Sequence, residues 1–299
     1  MDNSKNIIYG KDGYAKIHYR DNCILNIHQK LVGELLILFN NMMYHNMDIV
    51  LCLSGPEGSG KSFAGRIIGA FFRWLINCEL SVDDIHFDLM PYLNKSVKGK
   101  KCDINILDEA KDILDKKRSM SKSNKIFTDY MSKCRFKNQI HIIILPAIHD
   151  LDSRISLWRM NLLIHNLKLH YPDKTQLGGY KLQRGYFKAY GLDEELQKSI
   201  NNHSKSGKYR LPEKYSFHGR FFDNEPFTDE QLKLYEEKKN ESIKKIIDNL
   251  NDLELNKKES KFKGQRDNLI KYCVDNGLPL EQVSKISNLK ENYIKQHIL

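Results

Sequence analysis

No apolar run in this chain is long enough to cross a bilayer. The opening residues, Met1-Asp2-Asn3-Ser4-Lys5-Asn6, lack the apolar centre of a secretory signal. Six cysteines (Cys23, Cys52, Cys78, Cys102, Cys134 and Cys273) are scattered without a C-x-x-C pair, which argues against zinc and against a disulfide framework. These absences predict a cytoplasmic protein in a reducing compartment, with no membrane partner. Negative charge is also short, with 38 Asp and Glu against 48 Lys and Arg, a formal +10. Such an excess favours polyanionic partners but says nothing of fold. What is present suits a globular protein: 299 residues, 40% hydrophobic and 29% charged, enough for one large domain or two smaller ones. The excess is uneven. Residues 88–139 hold 13 Lys and Arg against seven Asp and Glu, a net of +6, which reads as a solvated helical face or a nucleic-acid surface.

The sharpest signal is Gly55-Pro56-Glu57-Gly58-Ser59-Gly60-Lys61-Ser62, which meets G-x-x-x-x-G-K-[ST] at every fixed position. The apolar run 48–54 precedes it and a helical pattern from Phe63 follows, the strand–loop–helix context that this motif requires. Glycines let successive backbone N–H groups curl toward a phosphate, and the helix adds the positive end of its dipole. Lys61 would reach the β- and γ-phosphates of ATP, and Ser62 would ligand Mg²⁺.

A second strand, 102–107, ends in Asp108-Glu109, and Asp108 lies 46 residues beyond Ser62. Asp108 would hold the metal and Glu109 would activate the attacking water. A third run, Ile140-His141-Ile142-Ile143-Ile144-Leu145-Pro146, is apolar throughout, as in a parallel strand buried on both faces. Strands near 49, 85, 103 and 140, separated by helices, predict an α/β fold with a mostly parallel sheet and flanking helices. The stretch 111–137 reads as mostly helical and basic, with a break at 119–124. Strands are expected again at 161–169 and 180–190, around a Gly178-Gly179 turn.

Four segments follow. Residues 1–47 read as a preface of a hairpin (14–19 and 23–27) and a helix (31–44), and 48–200 as the P-loop core. Residues 201–265 read as a loop (201–226), a charged helix opened by the capping signature Thr228-Asp229-Glu230-Gln231, and a polar linker (252–263). Residues 266–299 carry three short helical patterns, 266–275, 280–287 and 290–298, with Asn288 at the tight turn. Val283, Ser284, Leu289 and Ile294 have helix-turn-helix spacing. Lys290, Asn292, Lys295 and Gln296, beside Glu291, would lie on the helix that faces DNA; a three-helix bundle that binds protein has the same pattern.

On the Gly55–Ser62 loop, the strand ending Leu107-Asp108-Glu109 and the arginine-bearing block 135–159, the run from 48 to about 190 resembles P-loop ATPases of the additional-strand, catalytic-glutamate class. Within that class it is most similar to FtsK/HerA-type DNA pumps, including zonular-occludens-toxin-like and viral genome-packaging ATPases. The resemblance covers about half the chain. It implies a RecA-like ATPase core, ATP and Mg²⁺ as cofactors, DNA as partner, and a homo-oligomeric ring, for instance a hexamer. In such a ring a neighbour's arginine completes each site; Arg135, Arg154 and Arg159 are the candidates, Arg135 first by motif position. The resemblance also places Gly55, Pro56, Glu57, Gly58, Ser59, Gly60, Lys61, Ser62 and Phe63 around the nucleotide. One departure stands out: Leu145-Pro146-Ala147 replaces the polar sensor that usually ends the third strand, which leaves His149 or a residue from elsewhere for that task. Heavy Lys, Asn and Ile usage fits an AT-rich viral or mobile-element genome, hence a host cytoplasm. Three functions fit: a DNA translocase of the packaging or transfer type, an AAA+-type helicase loader or transposition switch, and a nucleotide-switched DNA-binding regulator.

Overall fold

The computed structural model describes residues 7–109, 122–172, 175, 180–206, 211–222 and 224–298. Residues 111–121 of the expected basic helical stretch, part of its break at 119–124, and the Gly178-Gly179 turn lie outside the described residues. The chain divides into two compact units, Met1–Lys238 and Lys239–Leu299.

The first unit is built on a seven-stranded sheet. Strand β4 (Ile49–Ser54) is central and fully buried. Val50 and Cys52 point into one core and Leu51 and Leu53 into the other, because successive side chains alternate across a pleated strand. Its neighbours are β7 (Ile140–Ile144) and β8 (Leu162–Pro172), both parallel to it, with Leu51 opposite Ile142 on one side and Leu162 on the other. Beyond β7 lie β6 (Ile104–Leu107) and the two-residue β5 (Ile85–His86), also parallel. Beyond β8 lie β9 (Tyr180–Gly191) and β10 (Phe217–Arg220), which run antiparallel. The order is therefore β10-β9-β8-β4-β7-β6-β5. The strand β7 lies between the strand that feeds the glycine loop and the strand that ends at Asp108. This is a mostly parallel sheet with flanking helices, an α/β architecture.

Helix α2 (Lys61–Leu75) packs on the face bearing Leu51 and Leu53, with Ile67, Ile68, Phe71 and Phe72 buried against it. Its far end is held by Arg73, whose guanidinium forks onto Asp84 at 2.6 and 3.0 Å. A three-stranded sheet, β1 (Ile7–Tyr9), β2 (Tyr14–Arg20) and β3 (Cys23–His28), and helix α1 (Gln29–His45) bury Ile17, Leu25, Leu31 and Leu35 in that same core. Helices α3 (Leu89–Lys98), α4 (Lys122–Lys133), the short α5 (Ser153–Ser156) and α6 (Glu194–Ser206) follow in the chain; the opposite core gathers Tyr92, Phe127, Ile155 and Leu196 from them.

Residues 1–47 and 201–238 lie in the same compact unit as the P-loop segment, because their apolar side chains enter its core. Two expectations of local structure are corrected. The expected loop 201–226 contains the end of α6 and strand β10, where Phe217 and Gly219 are buried against β9. The expected linker 252–263 is helical, within α7 (Asp229–Asp275). The capping box that opens α7 forms as expected: Thr228 Oγ1 accepts from Gln231 N at 3.2 Å and Gln231 Oε1 from Thr228 N at 3.0 Å.

In the second unit, the end of α7 is followed by α8 (Leu280–Ser287) and α9 (Glu291–His297). Ile270, Val283 and Ile294 form its buried centre. Asn288 takes φ 54°, and Ser284 Oγ donates to Leu289 O at 2.6 Å across the turn. All six cysteines are free; Cys78 is exposed, Cys273 half-buried and the other four buried.

Candidate functional site

The parallel strands all deliver chain at one edge of the sheet, and ligands bind beyond that edge in such folds. Gly55 continues β4 with φ 138° and donates its N–H to Pro146 O at 3.0 Å. A Cβ on Gly55 would lie 2.2 Å from Asn166 O, so only glycine fits against β8 there. Gly58 and Gly60 also take positive φ, at 68° and 94°. Gly60 directly precedes α2, and Ala64 N–H donates to its carbonyl at 2.9 Å to start the helix. Pro56 and Glu57 are exposed at the loop tip, whereas Ser59 is buried.

The β8–β9 hairpin braces this loop. Gly185, at φ 85°, donates its N–H to Ser59 O at 3.2 Å. The Lys168 side chain lies against Gly58, so a Cβ there would stand 3.3 Å from its ammonium. Ser54 Oγ pairs with His165 Nδ1 at 2.9 Å. Burial, with Lys188 and Lys61 nearby, pulls His165 down to about 4, so its ring is neutral at physiological pH.

Four expected residues come together. Lys61 Nζ donates to Gly55 O at 2.7 Å and to Pro56 O at 2.9 Å. Burial holds its pKa below the ordinary lysine value, against the pull of Asp108 and Glu57. Ser62 Oγ donates to Asp108 Oδ1 at 3.1 Å, so the first turn of α2 meets the end of β6. Glu109 takes φ 58°, and its N–H donates to Asp108 Oδ1 at 3.0 Å. That turn leaves Glu109 exposed while Asp108 is buried. Phe63 is half-buried on α2, with the Arg66 guanidinium 5.9 Å from its ring.

A Ser hydroxyl and a carboxylate side by side form a hard oxygen set that suits Mg²⁺. The positive-φ glycines, the buried Ser59 hydroxyl, which has no hydrogen-bond partner among the described residues, and the lysine held over the loop suit a phosphate chain. The residues present therefore fit a magnesium–nucleotide.

Sequence reasoning found the helix that opens after Thr228 but not its place over the site. Tyr235 of α7 donates its hydroxyl to Asp108 Oδ2 at 2.9 Å. Burial and the Asp108 charge push its pKa well above the tyrosine norm. Beneath the ring lies Arg66, 4.8 Å from the centroid, which forks onto Glu225 at 2.6 and 2.8 Å. Burial opposes the Arg66 charge, yet Glu225 outweighs it and raises the pKa. Tyr235 is 127 residues from Asp108, so no local pattern links them. The capping box just before it was the one usable signal.

Arg159 and Arg135 lie apart from this edge. Arg159 pairs with Asp48, at the amino end of β4. The six residues of β4 separate Asp48 from Gly55, about 20 Å. Arg159 is thus paired with a buried carboxylate at the opposite end of the sheet. Arg135 is exposed in the turn Cys134–Lys137 before β7, also at the amino end. Arg154 is largely exposed and its guanidinium and backbone N–H hold Asp152. His149 is buried in the turn Ile148–Asp150 after β7. It lines a cavity of about 320 Å³ with Ser54, His165 and Lys188. In the second unit Lys290, Asn292, Lys295 and Gln296 are all exposed, while Ile294 faces inward.

No family model and no curated protein matches the chain. Among solved structures it is similar to the genome packaging NTPase B204 from Sulfolobus turreted icosahedral virus 2, in complex with ATP-gammaS. The identity is 16% over 48% of this chain and 92% of that one, with a TM-score of 0.30.

Proposed function

We propose that this chain is an ATP-dependent DNA motor of the additional-strand, catalytic-glutamate class. The observation that carries the reading is the meeting of Lys61, Ser62 and Asp108, with Glu109 next in line, at the carboxyl edge of a parallel sheet. The position of β7 between β4 and β6 supports the class.

In this reading the loop N–H groups and Lys61 bind the phosphates of ATP, and Ser62 and Asp108 hold Mg²⁺. Magnesium, when bound, neutralises charge on the β- and γ-phosphate oxygens. Glu109 accepts a proton from the water that attacks the γ-phosphorus in line with the departing ADP. Arg135 lies at the amino end of the sheet, away from its own loop, so in this reading it acts in a neighbouring copy's site. Arginine suits this because its planar fork stays charged and meets two phosphate oxygens at once. The basic 111–137 stretch holds DNA, and Lys290, Asn292, Lys295 and Gln296 select or load it.

A second reading, a nucleotide-switched DNA-binding regulator, is favoured by one feature: Lys239–Leu299 forms a compact unit of its own. ATP turnover with and without double-stranded DNA separates the two, measured on the full chain and on one ending near Asn256. A motor is stimulated by DNA in both forms. A regulator turns over ATP slowly and loses DNA binding on truncation. Turnover retained in Lys61→Ala would overturn both.

A further inference from the structure

Asp108 receives more than the metal chemistry asks of it. Its Oδ1 accepts from Ser62 Oγ at 3.1 Å and from Glu109 N at 3.0 Å. Its Oδ2 accepts from the hydroxyl of Tyr235 at 2.9 Å. The carboxylate is 1% exposed, so the direction of each oxygen is set by these donors rather than by water. The donor on Oδ2 is itself fixed. The Tyr235 ring lies over Arg66 at 4.8 Å and beside Phe87 and Phe227, at 5.4 and 6.3 Å. Arg66 is locked in turn by both oxygens of Glu225. The helix that carries Tyr235 is fastened on either side of it: Gln231 Nε2 donates to Leu80 O at 3.3 Å, and Lys238 Nζ to Val82 O at 3.0 Å.

We propose that Tyr235 is a positioning residue. Its hydroxyl holds the Asp108 carboxylate with Oδ1 turned toward Ser62, where the metal is accepted, so the first turns of α7 are part of the site. This rests on the magnesium–nucleotide reading of Lys61, Ser62 and Asp108. Coupling of this kind is reciprocal: if the strapped helix favours metal binding, metal binding favours the strapped helix to the same degree.

The test uses the full chain with ATPγS, in Mg²⁺ or in EDTA. In the wild type, Mg²⁺ tightens nucleotide binding. Tyr235→Phe keeps the ring on Arg66 and removes only the donor. It is expected to lose about tenfold of the Mg²⁺-dependent gain, the scale of one hydrogen bond to a charged group, with EDTA binding unchanged. Ile200→Val, buried in the opposite core and away from α7, is the packing control and should lower thermal stability while keeping the Mg²⁺ response. A variant that responds to Mg²⁺ like the wild type overturns the role of Tyr235. So does one that loses binding equally in Mg²⁺ and EDTA, since that is what a purely structural residue would do. Wild-type amide exchange gives a readout free of any variant: residues 229–238 should be better protected with Mg²⁺–ATPγS than with ATPγS and EDTA, and equal protection overturns the coupling. If the wild type binds no ATPγS, the nucleotide reading itself falls; wild-type binding with an indifferent Tyr235→Phe removes only this proposal.

Discussion

At the residue scale, the buried charges separate function from support. Asp48 is 6% exposed, and Arg159, its partner, has a side chain 15% exposed. Removing one member of such a pair strands the other in a poorly solvated place. Arg159→Ala should therefore cost about 3–5 kcal/mol, read as a lower urea midpoint. Arg135→Ala, at an exposed site, should leave that midpoint in place while reducing ATP turnover. His165 gives the pH test. Its folded pKa of about 4 lies below the ordinary 6.5, so between those values the unfolded chain binds a proton that the fold refuses. Stability is full above pH 6.5 and declines as pH falls toward 4, by up to about 3 kcal/mol from this group. Melting temperatures between pH 7 and 5 should fall less steeply in His165→Asn. His86 and His141, both held near 3 mainly by burial, keep part of the slope.

At the element scale, the glycine loop depends on a hairpin that its motif does not mention. Gly185 reaches Ser59 O only because it takes φ 85°, and a Cβ there would stand 2.6 Å from Phe221 O. Gly185→Ala should cost about 1–3 kcal/mol and weaken nucleotide binding, checked by thermal melting and ATPγS titration. Gly264→Ala in α7, where a Cβ meets nothing within 4 Å, should instead stabilise by up to about 1 kcal/mol. The strands β4, β6 and β7 were legible because a strand buried on both faces must be apolar throughout, and Ile140 to Ile144 has no competing reading. The loop and Asp108 were legible because phosphate and metal chemistry demand particular residues at particular spacings. Strand β10 was hidden, since Phe217-His218-Gly219-Arg220 is short and contains glycine, and only its partner β9 makes it a strand. The length of α7 was hidden too, because a helix polar on every face has no stripe to read. Tyr235, Gly185 and Lys168 act through contacts distant in sequence, which no local pattern encodes.

At the scale of the whole molecule, the chain is two units, Met1–Lys238 with the site and Lys239–Leu299 with the helix that exposes Asn292, Lys295 and Gln296. A site completed by a neighbour's arginine makes turnover depend on association. Specific ATPase activity should rise with protein concentration and level off, tracking oligomer mass by light scattering; a flat specific activity across that range would exclude completion in trans. The cysteines carry one last consequence. Cys78 is exposed in the first unit and Cys273 is half-buried in the second, while the remaining four are buried. A thiol-reactive dye pair will thus react first at one position in each unit. The unmodified sequence already carries the two attachment points for a single-molecule energy-transfer ruler between the unit with the glycine loop and the helical one.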